Sequence, residues 1–378
     1  MEAQAFGTPA LIGSFDEAQG AILRRAVERA DSGAYVASSI LGLQDELSEL
    51  RPKCIFVDGD TAELATTTAW IREDPFLFST PVIAMVSELR DSSFVQAYRN
   101  GADDVILRSN TGGVTRRIAN LQQFDPAARP PICRGRVLIS HQTDEHRRLL
   151  GRVLRQASFD VHFAMDATEI VAAMASEAAP DLVVVSEDLL PVSKIDHARR
   201  AAGAAGTRFV VVATTASTRV VMDATLDQVA TISESAPHDH LLFLANDLLR
   251  HGSRQVRDSP RYLFDTICSF RPEGAFSPEY GLTYNMSKTG IYVRTLDPPP
   301  RNRPLWLELR PPGTTSTVHL RGTLVWVAMP GGGARSTPPG FGLRIEAGSS
   351  PVRDLAIYRE AYSTLAERPN ELAMSWRP

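Results

Sequence analysis

The sequence predicts two doubly wound parallel-sheet α/β domains in tandem, followed by a small antiparallel β-barrel with a C-terminal helix. Three observations predict it. Short, wholly apolar runs alternate with helical patterns over residues 8–124, the mark of a parallel sheet covered on both faces. The same alternation returns over residues 135–250, after the Pro- and Ala-rich link 125-DPAARPPICR-134. From 255 to 370 the composition turns to aromatic and β-branched residues of alternating polarity, broken by Pro/Gly turns, as in small antiparallel barrels. A chain of 378 residues accommodates these domains at roughly 100–150 residues apiece.

In the first domain 10-ALIGSF-15 reads as a strand and 16-DEAQGAILRRAVERA-30 as a helix, with Asp16 as N-cap and Ile22, Leu23, Ala26 and Val27 on one face. The runs 54-CIFV-57, 81-PVIAMV-86 and 104-DVIL-107 follow as buried strands, with helical segments such as 91-DSSFVQAYRN-100 between them. The second domain gives the strands 136-RVLIS-140, 159-FDVHFA-164, 181-DLVVV-185 and 208-RFVVVAT-214 and the helices 144–157, 167–178 and 239–250. In the third, 262–270, 291–295, 304–310, 317–329 and 341–346 read as short strands. A closing helix at about 350–367 places Leu355, Tyr358, Tyr362 and Leu365 at helical spacing, suited to covering a barrel end.

Composition sets limits on function. A net charge of −4 excludes binding of a nucleic acid polymer by a global field, so an anionic ligand must meet a local Arg cluster. Cys54, Cys133 and Cys268 lie far apart without a CxxC pair, indicating neither a disulfide framework nor a zinc site and fitting a reducing cytoplasm. The N-terminus lacks a basic, apolar leader, and no apolar run reaches the roughly 18–20 residues that span a bilayer. A soluble cytoplasmic protein without a membrane span is expected. No region assembles a nucleophile, base and orienter or a metal cage, so neither an enzyme nor a cofactor is expected. His141 and His146, with no third ligand at a sensible spacing, read as surface histidines and not as metal ligands.

Both α/β domains resemble the receiver domain of two-component response regulators. The likeness rests on 80-TPVIAMVS-87 and 101-GADDVILRS-109 in the first and on 180-PDLVVVSEDLLP-191 in the second. It implies a phosphoryl-accepting Asp after the third strand and an acidic pair after the first to hold Mg²⁺. A hydroxyl after the fourth and a Lys after the fifth would stabilise the moving phosphoryl group. The first domain keeps Asp58 at the acceptor position, but Ser14-Phe15 replace the acidic pair, leaving Asp16 as the nearest carboxylate. Val86 and Ser87 stand at the hydroxyl position and Arg108 at that of the Lys. In the second, Ser186 replaces the acceptor, 140-SHQTDE-145 occupies the acidic-pair region, and 231-TISES-235 offers no Lys. Both are read as pseudo-receivers, packing modules whose helix faces bind each other, a second copy in a homo-oligomer, or a partner.

Ahead of the barrel, 257-RDSPR-261 spaces two Arg as RxxxR, and 285-NMSKTG-290 follows on the barrel as NxSxxG. Taken alone, the first reads as a basic linker and the second as a turn. In this order, before and within a β-rich domain, they resemble the signature of the PilZ family, and 323-TLVWV-327 and 340-GFGLRIE-346 resemble its closing strands. The resemblance implies binding of cyclic di-GMP by Arg257, Arg261, Asn285, Ser287 and Gly290. The residue chemistry agrees: an Arg fork pairs with phosphate oxygens or with guanine O6 and N7, as a Lys point charge does not. Asn285 and Ser287 alternate with Met286 along an extended strand, so both face one side and can hydrogen-bond a guanine edge. Gly290 permits close approach where a side chain would collide.

The reading is thus a bacterial signalling receptor or adaptor, in which cyclic di-GMP reorders the 251–261 linker against the second pseudo-receiver and alters a surface offered to a signalling or motility protein. The alternatives are a phosphorylation-dependent response regulator using Asp58 and a scaffold without a small ligand.

Overall fold

Wholly apolar strands need cover on both faces, and in each α/β domain helices supply it. The computed structural model describes residues 10–13, 16–30, 32–37, 39–49, 52–74, 76–122, 133–213, 228–249, 259–330 and 337–367. In the first domain β1 (Ala10–Gly13), β2 (Ala34–Ala37), β3 (Ile55–Asp58), β4 (Val82–Val86) and β5 (Asp104–Leu107) run parallel in the order β2-β1-β3-β4-β5. The helices are α1 (Glu17–Glu28), α2 (Ile40–Glu49), α3 (Leu64–Glu73), α4 (Asp91–Arg99) and α5 (Thr111–Leu121). Alternate residues of β3 and β4 divide between two cores. Ile55, Val57, Val82 and Ala84 pack with Phe94 and Tyr98 of α4, whereas Phe56, Ile83 and Met85 pack with α1 and α5 through Leu23, Val27, Val114 and Ile118.

Asp16 caps α1 as expected, its carboxylate accepting from the Gln19 N–H at 2.8 Å. Leu23, Ala26 and Val27 form the buried stripe of this helix, but Ile22, at the stripe's edge, is 46% exposed. The strand expected over 10–15 is described over Ala10–Gly13, and Ser14 and Phe15 lie outside the described residues.

The second domain repeats the strand order of the first. Its strands β6 (Arg136–Ser140), β7 (Asp160–Phe163), β8 (Leu182–Ser186), β9 (Arg208–Ala213) and β10 (Val229–Ser233) are parallel in the order β10-β9-β8-β6-β7. They are flanked by α6 (Asp144–Gln156), α7 (Ala167–Met174), α8 (Ile195–Ala202) and α9 (His240–Leu249).

The third domain closes on itself. Strands β12 (Ile267–Pro272), β13 (Glu279–Ser287), β14 (Gly290–Arg294), β15 (Pro304–Leu309), β16 (Val318–Ala328) and β17 (Gly340–Ile345) form an antiparallel barrel sealed by the β13–β14 pair, and β11 (Tyr262–Leu263) adds to β13. The stretch 262–270, expected as one strand, is two. The Thr283 hydroxyl accepts from the Thr266 N–H at 2.8 Å and donates to the Phe264 carbonyl at 2.6 Å, holding the break between β11 and β12. The C-terminal helix α10 (Val352–Glu367) buries Leu355, Tyr358, Tyr362 and Leu365 in the barrel core, as their spacing predicted. Among the described residues no helix is long and apolar enough to cross a membrane.

Charged pairs, each with a buried arginine, join the three domains. Arg117 of α5 pairs with Asp104 at 2.7 Å, both side chains at most 1% exposed, and the same carboxylate accepts from the Leu296 N–H beyond β14 at 2.8 Å. Asp103 accepts from Arg72 of α3 at 2.8 Å and from Arg152 of α6 at 3.0 Å, uniting the two α/β domains. Arg294, the last residue of β14, lies over the Tyr98 ring at 4.1 Å and pairs with Asp239 of the second domain at 2.5 Å.

Candidate ligand-binding site

The hairpin between β13 and β14 positions most of the sequence-predicted residues. Ser287 pairs with Gly290, so the connection is the two-residue turn Lys288-Thr289, and β13 runs straight through Asn285 and Met286. Alternation then separates the side chains as expected: Met286 is buried in the barrel core, whereas Asn285, Ser287 and Gly290 line a cavity of roughly 260 Å³ on the barrel face. Arg261 lines the same cavity, and the Lys288 N–H donates to Ser259 Oγ at 3.2 Å, so the start of the described lead-in segment lies against the hairpin. Arg257 lies outside the described residues. Helix α10 supports the turn from below, with the Tyr358 hydroxyl donating to the carbonyls of Ser287 and Gly290 at 2.7 and 3.0 Å. Burial pushes the Tyr358 phenol well above its ordinary range, so it stays a neutral donor.

Gly290 is required by close packing. A Cβ there would stand 2.7 Å from the Leu343 carbonyl oxygen of β17, so any side chain would push the closing strand aside. Asn285 takes its place from a register shift. The ladder slips between Thr283 and Asn285, and Tyr284 at the slip is buried towards the second domain, its hydroxyl donating to the Asp239 carbonyl at 2.7 Å.

Two aromatic residues of the cavity, Tyr292 and Trp326, were not among the sequence-predicted site residues. Trp326 follows a second register shift, between Leu324 and Trp326 of β16, and its ring lies 5.4 Å from that of Tyr292 on β14. Trp326 is 40% exposed, a flat apolar surface beside an Arg and an Asn, which is the composition that receives a planar polar base. No local signal marks it, because the bulge aims it.

At the carboxyl end of the first sheet, Asp58 forms an ion pair with Arg108, which also pairs with Asp60 at 3.0 Å. Val86 is buried, Ser87 is exposed, and Asp16 is engaged as the cap of α1. In the second sheet Ser186 is buried. His141, expected at the surface, is only 4% exposed, in the connection between β6 and α6 where its ring stacks on that of His146. Burial, and then the neighbouring His146 and Arg147, lower the His141 pKa to about 4.

Residues 255–357 match the PilZ domain family. Among solved structures the chain is similar to the Bacillus subtilis inhibitor of motility MotI/DgrA, at 18% identity over 30% of this chain and 54% of that one, with a TM-score of 0.25. It therefore spans about half the length of that structure. It is similar to the PilZ domain of YcgR from Escherichia coli, in a structure with c-di-GMP, at 17% identity over 30% of this chain and 94% of that one, with a TM-score of 0.23. A response regulator from Hahella chejuensis is similar at 16% identity over 30% of this chain and 96% of that one, with a TM-score of 0.28. No curated protein matches the chain.

Proposed function

We propose, from the PilZ domain at residues 255–357, that the chain is a non-enzymatic cytoplasmic receptor for cyclic di-GMP. The observation that supports this most is the convergence of Arg261, Asn285, Ser287 and Gly290 on one cavity that also presents Tyr292 and Trp326. In this reading Arg257 and Arg261 close over the phosphodiesters or the guanine O6/N7 edge, Asn285 and Ser287 hydrogen-bond the purine, and Trp326 carries it by stacking. The ligand reorders the 251–261 segment against the second α/β domain and so changes a surface offered to a signalling or motility protein. Both α/β domains serve as binding modules, with Asp58 tied to Arg108 and not phosphorylated.

Calorimetric titration of the full chain tests the reading. Cyclic di-GMP binds, whereas GTP and linear pGpG do not compete. Arg257→Ala and Arg261→Ala each weaken binding roughly 10- to 100-fold, the loss expected for charge-assisted hydrogen bonds. Unchanged affinity in both variants dismisses the assigned site.

A further inference from the structure

We propose that His141, His146 and Glu234 bind a divalent transition-metal ion, with zinc preferred, at the carboxyl end of the second parallel sheet. His141 follows β6, His146 lies in the first turn of α6, and Glu234 follows β10. The sheet order brings these distant positions together. His141 Nε2 lies 3.5 Å and His146 Nε2 3.7 Å from the same oxygen, Oε1 of Glu234. The three donor atoms all lie within 4.8 Å of one another. Metal–ligand bonds of about 2.0–2.2 Å in a tetrahedron separate donor atoms by roughly 3.3–3.6 Å, close to both of the distances from Glu234 Oε1 to the imidazoles.

The far sides of the rings are also arranged for this role. The Thr143 hydroxyl lies 2.9 Å from His146 Nδ1 and 3.3 Å from His141 Nδ1, so one oxygen faces both outer nitrogens and both Nε2 atoms are left towards Glu234. A ligating imidazole needs such a partner to fix its ring and its tautomer. The Thr143 N–H donates to His141 Nδ1 at 3.3 Å, which puts the proton of the metal-free ring on Nε2. Metal binding at Nε2 therefore moves that proton to Nδ1, which turns from the Thr143 N–H to donate to the Thr143 hydroxyl. The rings stack at 4.7 Å between centroids and 22° between planes, which keeps the two imidazoles together at this edge of the sheet.

The donor set selects the ion. Two imidazoles and one carboxylate suit zinc and its neighbours, whereas Mg²⁺ and Ca²⁺ require oxygen shells. Three protein ligands leave the fourth position to water. Occupancy fastens the edge strand β10 to the start of α6.

The test uses the full chain, stripped of metal by chelation and dialysis and titrated with zinc against a chromophoric zinc chelator at neutral pH. One zinc per chain is expected, undisturbed by a large excess of Mg²⁺, and cobalt in its place gives the visible absorption of a four-coordinate site. His146→Gln and Glu234→Gln each weaken binding by at least about 10-fold, losing one bond of the set. His162→Gln, on the exposed side of β7, leaves it unchanged. Thermal unfolding of the metal-free proteins verifies that the variants are folded. No stoichiometric zinc on the wild type, or wild-type affinity in both folded ligand variants, overturns the proposal.

Discussion

The two α/β domains share one strand order and diverge where their sheets end. In the first, Asp58 is neutralised by Arg108, which also holds Asp60. In the second, a buried Ser186 and a histidine pair stand at the corresponding edge. They also differ in how they hold the barrel. The first contributes Arg117–Asp104, sealed from water, and the second Asp239–Arg294, with the carboxylate 25% exposed. Apolar strands alone preserve this architecture, so the polar residues at its edges are free to serve attachment or ligand binding.

The sharpest way to break the comparison is at the two joints. Arg117→Ala strands Asp104 in the core and is expected to cost about 3–5 kcal/mol, read as the largest fall in thermal midpoint. Arg294→Ala leaves Asp239 with access to water and costs about 1–3 kcal/mol. Equal losses from both would deny that the two attachments differ. Acid separates the α/β domains next. Burial raises the Asp103 pKa, but Arg152 and Arg72, with the Val82 N–H, outweigh it and bring it from 3.8 down to about 2. The folded pKa is the lower one, so this contribution is complete above about pH 4 and is lost as pH falls through about 2. Asp103→Asn should flatten that part of the stability profile, and an unaltered profile would remove Asp103 from the account. The smallest effect belongs to the sheet ends. Incubation with a small phosphodonor and Mg²⁺ is expected to leave the intact mass unchanged, and one added phosphoryl group that disappears in Asp58→Asn would restore the phosphorylation reading.

Much of the fold was legible because apolar runs and alternation are local. The strands at 55–58, 82–86 and 182–186, and the opposed faces of Met286 and Asn285, follow from such patterns. What escaped depends on distant contacts. Trp326 owes its orientation to a slipped ladder, and Glu234 meets His146 only through strand order. The break at 264–266 needs Thr283 from another strand. The joints at Asp104 and Arg294 pair residues from different domains, which no periodicity within one segment encodes.

Strand β14 begins with Gly290 in the cavity and ends with Arg294 against Tyr98 and Asp239. It is laced along both edges, to β13 and to β17, and spans roughly 13 Å at about 3.3 Å per residue. A ribbon gripped on both sides neither shortens nor buckles. One stiff strand therefore links the wall of the cavity to the place where Tyr98 of the first domain and Asp239 of the second meet the barrel.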